Sequence, residues 1–174
     1  MIPFHELGEK AHKVNKANGW EIFTPDDWTN VLKLCAHTAL IHTEITEAAE
    51  ALEDNDLTNL REELADVAIR VSSIAHGIGA KLQHNFAHPS PEFTEVPTTE
   101  LDISKGIMQL HKATSHATEA VRKQDSAEFI IQLIIILLHT AALSKAIGSD
   151  LAAEMDKKIE KNASRGHKHG GKAI

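Results

Sequence analysis

Two stretches of this chain align on one another without a gap at a constant offset of 69 residues, and that self-similarity limits the fold more than any other feature. His42 falls on His111, Ala48 on Ala117, Glu50 on Glu119 and Ala51 on Ala120. Further along, Asp56 falls on Asp125, Leu64 on Leu133, Ile78 on Ile147, Gly79 on Gly148 and Leu82 on Leu151. The identities are sparse, but a shared turn aspartate and a shared closing glycine at one register make duplication the better account. Each copy reads as two amphipathic helices around a short polar turn, so the repeating unit is a helical hairpin.

Caps and breakers set the elements. Pro3 at a helix start and Gly19 after Asn18 bracket a first helix near 4–17. Thr24 as N-cap, Pro25 at the first helical position, and Asp26 and Asp27 in the first turn predict a long helix from there to about Glu53. Asp54-Asn55-Asp56 is a polar turn, followed by a helix from about Thr58 to Ile78 that Gly79 closes. Residues 83–98 hold three of the five prolines and no helical period, so they read as a linker. Helices are then expected at about 99–123, from the Gln124-Asp125 turn to just before Gly148, and at about 150–163. The predicted architecture is a single all-α domain over 1–174: two tandem hairpins, 30–82 and a degenerate 99–151, with flanking N- and C-terminal helices. A basic tail, 157–174, completes it.

Composition narrows the class. A chain of 174 residues with 42% apolar and 25% charged residues fits one ordinary domain with a sizeable core. Few aromatic residues and no tyrosine lean the same way as the helical periods. The most apolar run, 129–143, is short for a membrane span and contains Gln132 and His139, so it reads as a buried helix at the centre of the fold. Glu6 and Glu9 interrupt any signal-peptide pattern, and a single cysteine, Cys35, fits a reducing cytoplasm. A net charge of −7 argues against a general nucleic-acid binder. A small anionic substrate remains compatible, given a bound cation or a local basic cluster. The histidines are scattered: only Glu9-x-x-His12 has di-iron spacing, and His167-x-His169 is a weak metal pair.

The chemistry concentrates in Glu44-x-x-Glu47 and Glu63-x-x-Asp66. Acids three residues apart lie about 60° apart on a helix, one turn up the same face. On a hairpin, four such groups can converge. Two like charges 4 Å apart repel by roughly 4 kcal/mol at an effective dielectric near 20, and a hard divalent cation offsets that cost. The competing reading is a solvated acidic face with Arg61 and Arg70 as partners, Asp66 and Arg70 being a well-oriented i,i+4 pair. The repeat weighs against it. The four acids correspond to Ala113, His116, Gln132 and Ile135, so the second hairpin keeps the apolar frame without them. The fold does not need the quartet.

The pattern E-x-x-E, about fifteen residues, E-x-x-D, on a hairpin that continues E-E-L-A-D-V, resembles the all-α nucleoside triphosphate pyrophosphohydrolases. That superfamily includes MazG, the dimeric dUTPases and phosphoribosyl-ATP pyrophosphatase. ALIHTEITEAAEALEDND, the upstream N-G-W at 18–20 and the tail K-x-x-x-N-x-x-R-x-x-x-H-G-G-K at 158–172 look most like its MazG-like members. The resemblance implies Glu44, Glu47, Glu63 and Asp66 as Mg²⁺ ligands, with Mn²⁺ as a substitute. It implies hydrolysis of a (deoxy)nucleoside triphosphate to the monophosphate and pyrophosphate, with Glu44 preferred over Glu47 as proton acceptor. Thr43 stands where MazG members often carry a further glutamate. Trp20 is a candidate to stack on the base or to pack in the core. Lys161, Asn162, Arg165 and Lys172 are candidates to hold phosphate oxygens. His116 is expected as a polar filler facing the live site. The second hairpin would replace a partner subunit, and a further homodimer stays open. Two alternatives remain: hydrolysis of another nucleotide, such as phosphoribosyl-ATP or an alarmone, and a non-catalytic module that binds nucleotide or protein.

Overall fold

The computed structural model describes residues 2–80, 82 and 100–167, so the expected linker and Lys172 lie outside the described residues. Among these the regular structure is entirely helical: α1 (Phe4–Ala17), α2 (Val31–Glu53), α3 (Leu57–Gly77), α4 (Glu100–Lys123), α5 (Ser126–Ala146) and α6 (Leu151–Ala163), with a 3-10 turn at Pro25–Thr29. The all-α expectation holds.

One expected helix is divided. Thr24 and Asp27 form a capping box, but it starts only the 3-10 turn. Asn30 then leaves helical geometry at φ −86°, ψ 77°, and its side chain accepts a hydrogen bond from the Lys33 backbone N–H at 3.1 Å. A second N-cap thus starts α2 at Val31, because the Asn side chain satisfies an amide that a continuous helix would have bonded internally. The break lets the segment before it turn back along α2. Lys33 fixes that segment: its Nζ donates to the Ile22 carbonyl at 2.7 Å, pairs with Asp27 at 3.0 Å, and lies 4.9 Å from the Phe23 ring centre.

The two hairpins, α2–α3 and α4–α5, pack α2 against α4 and α3 against α5. Ile41, Ile45, Leu64, Val67, Leu110, Phe129, Leu133 and Leu137 are buried in the core. Equivalent positions behave alike. Asn55 and Gln124 both take φ 56° in their turns, where the left-handed conformation reverses the chain. Asp56 and Asp125 then cap the next helices, each accepting an amide hydrogen bond at 3.0 Å. His42 and His111 meet where α2 crosses α4, Nδ1 to Nδ1 at 2.9 Å with the rings stacked. Positions separated by the repeat offset touch each other there, as residues on a two-fold axis do.

The centre of the molecule is α3, not the apolar α5. α1, α2, α5 and α6 all pack on α3, whereas α5 is covered by α4 and α3 and only lightly by α6. α1 approaches α3 closely through Gly8, where an added Cβ would lie 2.5 Å from the Ser72 carbonyl oxygen. Among the described residues α5 alone is long and apolar enough to cross a membrane, and Phe129, Leu133, Ile136 and Leu137 bury its inner face in the bundle.

Candidate metal and nucleotide site

Glu44 comes from the middle of α2, and Glu63 and Asp66 come from consecutive turns of α3. The Asp54–Asp56 turn sets these helices side by side. One carboxylate oxygen from each of the three lies within 4.8 Å of the others. Glu44 and Glu63 are each only 7% exposed, which is unusual for carboxylates and identifies the cluster as an enclosed one. Glu47 lines the same cavity from its exposed edge, outside that tight group of three.

Burial and the neighbouring Asp66 carboxylate push the Glu63 carboxyl up to about 7. Burial raises Asp66 as well, and Lys158 opposes that shift. Both shifts come first from burial, which disfavours the charged carboxylate, and the neighbouring acids add to it. Two cations offset part of the cluster's negative charge. Arg70 donates from Nε to a Glu44 oxygen, and its Nη2 forms an ion pair with the same oxygen. The i,i+4 pairing of Arg70 with Asp66 is therefore not the contact made. Asp66 instead accepts from Lys158 on α6, at 2.8 Å. Arg61, the other expected partner, reaches the Ile147 carbonyl at 3.4 Å.

The acids open into a cavity of about 410 Å³. One wall is apolar and aromatic, built from Phe23, Leu40, Ile69 and Ile74, with Trp20 at the cavity and His37 set edge-on to Phe23 at 4.6 Å. Burial, helped by the positive charges of Arg70 and Lys33, pushes His37 down to about 4, so it is a neutral imidazole there. The other rim carries Asn162, Arg165 and Lys158 from α6 and its end. Asn162 keeps a buried side-chain oxygen without a hydrogen-bond partner, and its backbone carbonyl accepts from Asn18 at 2.8 Å. Lys161 points elsewhere, onto Glu62 at 3.1 Å, and is not part of the cavity wall.

Trp20, Asn162 and Arg165 line the same cavity as the acids, and Lys161 does not. His116 is exposed and does not line the cavity, contrary to expectation. The second hairpin crosses the first at His42 and His111, which puts Ala113 and His116 away from the first hairpin's acids. Arg70, His37 and Phe23 escaped the sequence reading as site residues, and Lys158 was read only as part of the cationic tail segment that could close over triphosphate. Lys158 carried a signal, as the first residue of the tail motif. His37 had one too: it lies seven residues before Glu44, two helical turns along the same face.

Residues 35–87 match the family model of the MazG nucleotide pyrophosphohydrolase domain. The α2–α3 hairpin is similar to a MazG domain over that segment. The matched segment includes all four acids and runs past Leu82, beyond the described hairpin. No curated protein and no solved structure matches the chain. The MazG domain supports nucleotide pyrophosphohydrolase activity in general, and with it a small nucleotide as substrate. Its donor set suits a hard cation: three carboxylates converge, all ligand atoms are oxygen, and no thiol or imidazole belongs to the group.

Proposed function

We propose that this chain hydrolyses nucleoside triphosphates between the α- and β-phosphates, (d)NTP + H₂O → (d)NMP + PPi, with a divalent cation, Mg²⁺ or Mn²⁺. The observation that carries the reading is the convergence of Glu44, Glu63 and Asp66 in a cavity that also has an aromatic wall and a basic rim. A triphosphate needs those three features in one place: carboxylates that hold a cation, cations that hold phosphate oxygens, and a flat apolar surface for the base.

Glu44, Glu63 and Asp66 would hold the metal, with Glu47 at the open edge. When bound, a divalent cation neutralises phosphate charge and lowers the pKa of an attacking water. Arg70 fixes Glu44 through a hydrogen bond and an ion pair, which suits a ligand more than a mobile base. Glu47, at the solvent-facing edge, is the better proton acceptor. Arg165 and Asn162 line the same cavity and would contact the phosphate chain. Trp20 and Phe23 offer faces for the base, and neutral His37 offers one donor and one acceptor beside them. The second hairpin, which we take as a duplicated and degenerate copy, supplies the scaffold a partner subunit would otherwise provide.

The test is pyrophosphate release, detected with inorganic pyrophosphatase and a phosphate dye, across the eight common NTPs and dNTPs with and without Mg²⁺. Turnover on at least one, lost on chelation, is expected. No turnover on any nucleotide by a folded protein would refute the enzymatic reading. Asp66→Asn should lower kcat by about 100-fold or more while leaving the helical circular dichroism unchanged.

A further inference from the structure

The geometry points to Lys158 as a built-in competitor of the metal: its ammonium holds Asp66 in the cation-free protein and moves onto Glu62 when a divalent cation takes the carboxylate. This rests on the metal-site reading above and goes beyond it. Lys158 Nζ lies 2.8 Å from Asp66 Oδ2 and 3.1 Å from Glu62 Oε2, so it sits between a carboxylate of the cluster and one outside it. Glu62 and Asp66 are four residues apart on α3, neighbours on one face. The lysine side chain is 11% exposed, and little water replaces a lost carboxylate partner there.

Asp66 is shared by the lysine and the acid cluster, and one of its oxygens belongs to the group converging within 4.8 Å. A cation coordinated by that group draws Asp66 to itself and repels an ammonium a few ångströms away. Glu62 gives the displaced charge a place to stay. It is already held by Lys158 and by Lys161, both at 3.1 Å, and those lysines keep its carboxyl below the usual range. The lysine therefore shifts by one carboxylate instead of leaving the site, and its charge stays at the rim where the phosphates arrive. Cation-free protein is protected from its own clustered acids, and metal loading readies a phosphate-facing cation.

Lys161 supplies the control. It carries the same charge and touches the same Glu62, but it does not contact Asp66. Mn²⁺ binding to the full chain without nucleotide, measured by isothermal titration calorimetry, should tighten about tenfold in Lys158→Met and less than about twofold in Lys161→Met, because only the first removes a direct competitor. Equal changes in the two variants would overturn the inference, since net charge alone would then account for both. In the wild-type chain labelled on lysine, Mg²⁺ should move the Lys158 Nζ resonance and leave that of Lys161 in place. This readout stands even if Lys158→Met fails to fold. An unmoved Lys158 resonance in protein that binds Mg²⁺ sinks the competition alone. A wild-type chain that takes up no cation refutes the metal site and this inference together.

Discussion

Glu63 shows how one residue connects the fold to the chemistry. Its carboxyl is raised from the ordinary 4.5 to about 7 by burial, with Asp66 adding to the effect. The folded chain therefore retains a proton there that the unfolded chain releases. That contribution to stability is fully present below about 4.5 and is lost as pH rises through about 7. Glu63→Gln should accordingly stabilise the cation-free protein, by an amount that grows between pH 5 and pH 7.5 in urea titrations. A cation must displace that proton, so Mn²⁺ affinity of the wild type should rise over the same interval and level off above it. A flat affinity profile would show that Glu63 is not a ligand. The spacing to Asp66 singles out Glu63 over Glu62 in the sequence, and the fold separates them physically: α3 buries one and gives the other to two lysines.

The start of α2 is decided by a single side chain. Asn30 starts α2 with a cap that competes with a continuous helix, and Asn30→Ala should cost about 1 kcal/mol in chemical denaturation. The larger consequence would be at the site, since the segment holding Trp20 and Phe23 is set by that break. A raised KM with little change in kcat is expected. At the α2–α4 crossing, burial and mutual repulsion lower His42, and burial lowers His111. Stability from lowered histidines is present above their unfolded value and is lost as pH falls through the folded one. Replacing both by leucine should reduce the stability lost between pH 7.5 and pH 5.5. An unchanged loss would mean that other groups, such as His37, carry it.

For the whole molecule, scaffold and site divide between the hairpins. Gln132, at the position of Glu63, donates to Glu128 at 2.7 Å, and Ala113, at the position of Glu44, is buried apolar packing. The second hairpin thus meets ordinary packing demands where the first carries charge. Leu133 is fully buried on α5, and Leu133→Ala should cost about 2–5 kcal/mol. Turnover per folded molecule should be nearly unchanged, as measured by activity against the folded fraction in urea. A fall in turnover beyond the folded fraction would give the second hairpin a direct part in the reaction.

The sequence by itself determined the helices apart from the break at Asn30, the turns at Asn55 and Gln124, the all-α class and the spacing of the acids. Periodicity, caps and carboxylate spacing are local properties, readable along one chain. The offset between Glu44 and Ala113 showed without coordinates that the hairpin frame persists where the acids are absent. Tertiary structure alone decided which charges meet. Arg70 bypasses Asp66 four residues away for Glu44 on another helix, and Lys158 arrives from α6, nearly a hundred residues along the chain. It also decided that Trp20 and His37 line the cavity of the acids while Lys161 and His116 do not. Electrostatic partners are chosen by distance and burial in three dimensions, and the packing of α1 and α6 on α3 sets both.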